Sequence, residues 1–184
     1  MKLSILCSIT LALGSAGAPV FAAQPHVHGA GALQLVLEGS QLHAELRLPA
    51  INVVGFEHTP RQPRHRQAVQ KAAALLKEPD QVLALPEAAQ CAAASVTVEI
   101  ELLDSSHSAA TPEKPAHEHG EKEQHADFEA VYRFDCRQPE ALKRIRFALF
   151  KQLPHLEQLD VNSVTATGQQ HQRLTPQQDT LTLP

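Results

Sequence analysis

Apolar and polar side chains alternate along several segments of this chain, and such alternation is typical of β-strands with one buried face. Leucines occupy every second position over residues 33–37, and the alternation resumes over residues 42–48. Gly39 between the two segments predicts a turn, and Pro49 ends the second, so together they predict a β-hairpin. Further strands are predicted over residues 96–102, 128–134, 159–167, 170–174 and 180–183.

Two segments have apolar residues at helical spacing instead. The first predicts an amphipathic helix over residues 66–77, which Pro79 stops. The second predicts a helix from Pro139 to about residue 151. The apolar stripe of the second helix would consist of Leu142, Ile145 and Leu149. Residues 50–65, which precede the first helix, are predicted to be irregular.

These elements predict an α+β fold, a mainly antiparallel β-sheet with two amphipathic helices covering one face. The two halves of the domain are expected at residues 24–103 and 127–184. Between them lies a segment rich in Ser, Pro, His, Glu and Lys, with no apolar periodicity. It cannot bury enough surface to offset its ordering entropy, so residues 104–126 are predicted to form a flexible, His-rich loop.

The N-terminus has the pattern of a secretory signal peptide. Lys2 precedes an apolar run over residues 3–13, small residues follow, and cleavage after Ala22 or Ala23 fits the signal peptidase. A membrane anchor is the alternative, but the run is too short to span a bilayer. Residues 1–23 are therefore expected to be removed, which leaves a periplasmic chain with no membrane segment.

Cleavage would also remove Cys7, leaving Cys91 and Cys136. An even number of cysteines in an oxidising compartment indicates a disulfide, and a pair of zinc-binding thiolates is the alternative. If the strands at residues 96–102 and 128–134 pair antiparallel, Cys91 before the first lies near Cys136 after the second. A disulfide there would close the base of a hairpin whose far end carries the flexible loop.

The composition argues against several functions. Seven aromatic residues and a net charge of −4 provide neither a stacking surface nor a basic patch for nucleic acid. The sequence contains no HExxH, no GxSxG and no phosphate-binding glycine loop. The chain is therefore not expected to be an enzyme.

Eleven histidines are the unusual feature of the composition. Neutral imidazole binds Zn²⁺, Cu²⁺ and Ni²⁺, and nearby carboxylates add attraction and oxygen ligands. The alternative is a solvated loop whose histidines are incidental. The segment 117–127 is the richest, with three imidazoles and four carboxylates: His117, Glu118, His119, Glu121, Glu123, His125 and Asp127.

Two shorter motifs add candidate ligands. His26-Val27-His28 places two imidazoles on the same side of an extended segment. Glu57-His58 lies in a proline-rich loop, where the alternative is a turn in which His58 caps backbone groups. The remaining histidines show no ligand spacing and are taken as unrelated to the site: His43, His65, His107, His155 and His171.

Several of these motifs occur together in one known family. They are His26-Val27-His28-Gly29, Gly55-Phe56-Glu57-His58-Thr59-Pro60, the His/acidic insert, Tyr132-Arg133-Phe134-Asp135-Cys136 and Val164-Thr165-Ala166-Thr167-Gly168-Gln169. In this combination the chain resembles the ZrgA family of zinc-regulated, His-rich periplasmic proteins. The resemblance implies a role in zinc acquisition alongside an ABC-type importer and its periplasmic solute-binding protein. It also implies a metal-binding role for His26, His28, His58, His117, His119, His125 and Asp127.

The main hypothesis is a periplasmic protein that captures or buffers Zn²⁺ for the importer. His26 and His28 would meet His125 or Asp127, with His58 as a further ligand. A second hypothesis is a protein that sequesters copper or nickel, although the single Met argues against Cu(I). A third is a structural or adaptor protein with incidental histidines.

Overall fold

The computed structural model describes residues 28–103 and 126–184 of the chain. The expected signal peptide, His26 and residues 104–125 of the expected loop lie outside these ranges. So do four further histidines: His107, His117, His119 and His125.

The described part of the chain contains nine β-strands, three α-helices and several 3₁₀ turns. In chain order the strands and helices are β1 (Ala30–Glu38), β2 (Gln41–Pro49), α1 (Ala50–Val54), α2 (Pro63–Leu76), α3 (Pro79–Val82), β3 (Leu83–Ala84), β4 (Cys91–Ile100), β5 (Asp127–Cys136), β6 (Arg144–Phe147), β7 (Gln158–Thr165), β8 (Gly168–Leu174) and β9 (Thr180–Thr182).

Six strands form the main sheet, in the order β4-β5-β2-β1-β7-β8. Neighbouring strands pair antiparallel, except that β1 and β7 are parallel. The predicted hairpin is β1–β2, with Leu33 opposite Leu46 and Leu35 opposite Ala44. The predicted α+β class and the mainly antiparallel sheet are thus confirmed.

A disulfide joins Cys91 to Cys136, as the sequence predicted. The two residues are direct partners in the register of β4 and β5, and Ile100 faces Phe128 at the other end of the pair. The crosslink therefore closes the end of the β4–β5 pair that lies away from residues 104–125.

One face of the main sheet builds the core, and α2 packs against it. Val69, Ala72 and Leu76 are the buried residues of this helix. The Tyr132 hydroxyl on β5 donates a hydrogen bond of 2.8 Å to the Leu76 carbonyl, which ties the end of α2 to the sheet. The helix predicted over residues 66–77 is confirmed, and it begins earlier because Pro63 suits the first helical turn.

The helix predicted from Pro139 to residue 151 is wrong. This stretch consists of a 3₁₀ turn at Pro139–Ala141, strand β6 and a 3₁₀ turn at Ala148–Lys151. In β6, Ile145 and Phe147 are buried while the arginines that alternate with them are exposed. β6 pairs with β3 and β9 in a second, three-stranded sheet. Ile145 suits the apolar stripe of a helix as well as the buried face of a strand. The local pattern is therefore ambiguous, and the pairings with distant segments make this stretch a strand.

Residues 50–65, predicted to be irregular, begin with the short helix α1. Its C-terminal cap is Gly55, which adopts a left-handed conformation at φ 81° and turns the chain towards Phe56. Within the described residues, no helix combines the length and the apolar character needed to cross a bilayer.

Candidate metal centre

Several chain segments meet at one end of the main sheet, where β1 and β5 begin and β2 and β4 end. We call it the loop end. The chain enters β1 there after His28 and leaves β2 there for α1, since Pro49 is opposite Asp127 at the start of β5. β4 also ends there, because Ile100 is opposite Phe128. The loop end is thus the end of the sheet where His28, the start of α1 and Asp127 lie.

The two borders of residues 104–125 also lie at the loop end. The Asp127 backbone N–H donates to Glu101 Oε2 at 3.0 Å, which joins the residues after β4 to the start of β5. The Ala50 N–H donates to the Ala126 carbonyl at 2.8 Å. The two borders are therefore close to each other and to the start of α1.

His28 is exposed, and the residues that follow it are fixed by α1. Asn52 is 2% exposed; its Oδ1 accepts the Gly29 N–H at 2.7 Å and its Nδ2 donates to the Ala30 carbonyl at 2.7 Å. The Gly29 carbonyl accepts the N–H groups of Glu157 and Gln158. The backbone directly after His28 is therefore held by α1 and by the start of β7.

Asp127 is buried, and the guanidinium of Arg47 lies near its carboxylate. Arg47 Nε lies 3.8 Å from Asp127 Oδ2, and the Arg47 guanidinium also contacts Glu129. A metal ion at Asp127 would have to compete with this arginine, so Asp127 is not an open ligand.

His58 belongs to a cluster of three stacked rings that also contains Phe56 and His65. The Phe56 ring centroid lies 4.9 Å from that of His58 and 4.6 Å from that of His65. The two imidazole centroids are 5.1 Å apart, with their planes at 48°. Phe56 packs against the hydrophobic core, so it anchors both imidazoles. We call His58 and His65 the imidazole pair.

The imidazole pair borders an open pocket of about 320 Å³, a space that admits an ion with its bound waters. His58 Nδ1 lies 3.1 Å from the Thr59 carbonyl, which can only accept, so Nδ1 is the donor and Nε2 is the nitrogen left for a metal ion. Burial, Arg64 and then His58 lower the pKa of His65, which favours the neutral imidazole.

The structure places the candidate ligands in separate groups. Of the seven, His28, His58 and Asp127 lie in the described ranges, and the other four lie outside them. Within residues 28–103 and 126–184, no group of three or more His, Cys, Asp or Glu side chains is arranged to hold a metal ion.

The other described histidines differ in their surroundings. His171 Nε2 lies 3.4 Å from Asp160 Oδ1 on the neighbouring strand. His155 lies beside Gly55, with its Nε2 3.9 Å from where a Cβ on that glycine would be. His65 shows no ligand spacing in the sequence, yet the fold places it next to His58. Between the two histidines the sequence offers only two prolines and a helix start at Pro63. Neither feature indicates a metal ligand.

One comparison with known proteins relates the chain to zinc. Residues 25–183 match the family described as "ZrgA family zinc uptake protein". Among curated proteins, no match is found.

Proposed function

Because the chain belongs to the ZrgA family of zinc uptake proteins, we propose that it binds Zn²⁺ in the periplasm and captures or buffers the ion for an ABC-type importer. Zinc is its cargo, and the partner that receives the ion is the importer's periplasmic solute-binding protein. This role requires reversible binding and no reaction, so we also propose that the chain is not an enzyme.

The observation that carries this proposal is the meeting of His-bearing segments at the loop end. His28 precedes β1 there, and β4 and β5 border the segment that contains His117, His119 and His125. Helix α1 begins at the loop end and leads to His58, which lies in the imidazole pair. Zinc sites are built from imidazole, thiolate and carboxylate ligands that the fold brings together from separate segments. Since Cys91 and Cys136 form the disulfide, imidazoles and carboxylates are the ligands available in the part of the chain that the structure describes.

The proposed ligands are His26 and His28 from the N-terminal segment, histidines of residues 117–125, and His58. The family resemblance also implies Asp127, but a metal ion there would have to compete with Arg47. We therefore assign the first role to the imidazoles. The insert would raise the local zinc concentration and deliver ions to the ordered part of the chain.

Isothermal titration of residues 24–184 with Zn²⁺ tests this function. We expect binding tighter than about 100 μM. Substituting alanine for both His26 and His28 is expected to weaken it by at least about tenfold, because a bound ion would lose two imidazole ligands. His171→Ala is the matched control, since this imidazole is exposed and lies beside Asp160 instead of the loop end.

Parallel titrations with Cu²⁺ and Ni²⁺ address the metal. Raw affinity of nitrogen sites favours Cu²⁺, so zinc selectivity is measured in competition at free-ion concentrations set by buffers. Affinities that are equal in the His26/His28 variant and in the His171 control would contradict the proposed ligands. The absence of any zinc binding would contradict the function.

A further inference from the structure

The spacing of the two rings in the imidazole pair matches that of two histidines on one zinc ion. At a Zn–N distance of about 2.0–2.1 Å, a ring centre lies about 3.2 Å from the metal, and a tetrahedral angle then separates two ring centres by about 5.2 Å. The His58 and His65 centroids are 5.1 Å apart. The separation of the two rings is therefore compatible with both of them binding one ion.

The fold holds this spacing without a metal. Phe56 stacks on both imidazoles and packs against the core. The loop between the two histidines is held as well, because the Arg66 guanidinium donates hydrogen bonds to the carbonyls of Pro60 and Arg61. Ligands that are positioned in advance lose less conformational entropy when the ion binds.

The ring nitrogens provide a second observation. His58 directs Nδ1 to the Thr59 carbonyl, which leaves Nε2 for another partner. His65 Nδ1 is shielded from solvent and has no hydrogen-bond partner in the part of the chain that the structure describes. A shielded polar atom without a partner carries a free-energy cost and calls for an explanation, and a bound ion is one.

We propose that His58 and His65 bind one Zn²⁺ ion beside the open pocket and form a transfer site, in which two protein ligands leave the other positions to water or to the ligands of an acceptor. This proposal rests on the function proposed above and adds His65 to it. Structural zinc sites use four protein ligands, whereas open positions permit exchange. Arg61 and Arg64 are close by, and their charges oppose a dication and keep binding weak enough for release.

Ring-detected ¹H–¹⁵N NMR of the mature chain, residues 24–184, tests the site during titration with ZnCl₂ at pH 7.5. His58→Ala and His65→Ala assign the two signals, and His171→Ala serves as the control. Both rings should respond at the same zinc concentration. In each single variant the remaining ring should need at least about tenfold more zinc, because two-ligand chelation is lost.

The amide spectrum shows whether each variant is folded, and the titration of the unsubstituted chain needs no variant. If other histidines respond while His58 and His65 do not, the transfer site is refuted and the proposed function stands. If no ring responds below about 100 μM zinc, both proposals fail. On adding a chelator, these two rings should lose zinc first, and retention there after the other rings are free would contradict a transfer role.

Discussion

The Asn52 side chain accepts the Gly29 backbone N–H at 2.7 Å and thereby joins helix α1 to the residue that follows His28. The same side chain donates to the Ala30 carbonyl. One buried amide thus fixes both the start of β1 and the position from which the N-terminal His-Val-His motif extends. This contact links the stability of the fold to the geometry of the candidate metal centre.

Replacing Asn52 with Ala should lower the free energy of unfolding by about 1–3 kcal/mol, because the Gly29 N–H would be left buried without its partner. Urea denaturation followed by circular dichroism measures the change. Asn162→Ala on β7 is the matched control, because Asn162 is exposed, and its effect should be within about 0.5 kcal/mol of zero. Equal effects of the two substitutions would contradict the role of Asn52.

Removing the disulfide by changing both Cys91 and Cys136 to Ser should destabilise the fold by about 4 kcal/mol. In the chain-entropy model, this follows from the loss of a crosslink between residues 45 positions apart. Chemical denaturation of the oxidised protein and of the double variant gives the difference. Two reactive thiols in the oxidised, zinc-free protein would show instead that the cysteines are not joined.

Tyr132 should make the protein less stable in alkali. Burial raises the pKa of its hydroxyl, so the folded state keeps the proton after the unfolded state has begun to lose it near pH 10. The stability that this group contributes is present below pH 10 and is lost as the pH rises above it. Tyr132→Phe should remove that part of the pH dependence.

Absorbance at 295 nm reports this titration directly, because Tyr132 is the single tyrosine of the chain and there is no tryptophan. We expect the folded protein to show no tyrosinate at pH 10, whereas the protein in urea shows about half. A folded-state midpoint near pH 10 would contradict the burial of this hydroxyl.

Export is tested by the mass of the protein recovered from the periplasm. The N-terminal pattern predicts that the chain begins at Ala23 or Gln24. Leu11→Arg should block processing, because a charge interrupts the apolar run. Recovery of the unprocessed chain from the cytoplasm in both cases would be evidence against export.

The strands of the main sheet could be predicted from the sequence because their alternation is local, whereas the parallel pairing of β1 with β7 could not. Leu33, Leu35 and the residues opposite them share a period that only a half-buried strand satisfies. The disulfide followed from the same pattern. Strand β6 could not be predicted in this way, since Ile145 fits either period and its partner Leu181 is distant in the sequence.

The candidate site was harder to predict than the sheet. A His-Val-His motif or a cluster of histidines is visible as a pattern, and these patterns directed attention to the loop end. His58 and His65 are seven residues apart, with two prolines and a helix start between them. No regular element gives that separation a fixed distance, so only the fold shows that Phe56 brings the two rings together.

Zinc binding by the imidazoles of this chain is tested most directly by equilibrium dialysis of the protein without its predicted signal peptide. Residues 24–184 are dialysed against low micromolar zinc, and the bound metal is counted by mass spectrometry. We predict at least about one zinc ion per chain, in line with an imidazole site of micromolar affinity. A protein that is folded and oxidised and yet retains no zinc would contradict the account.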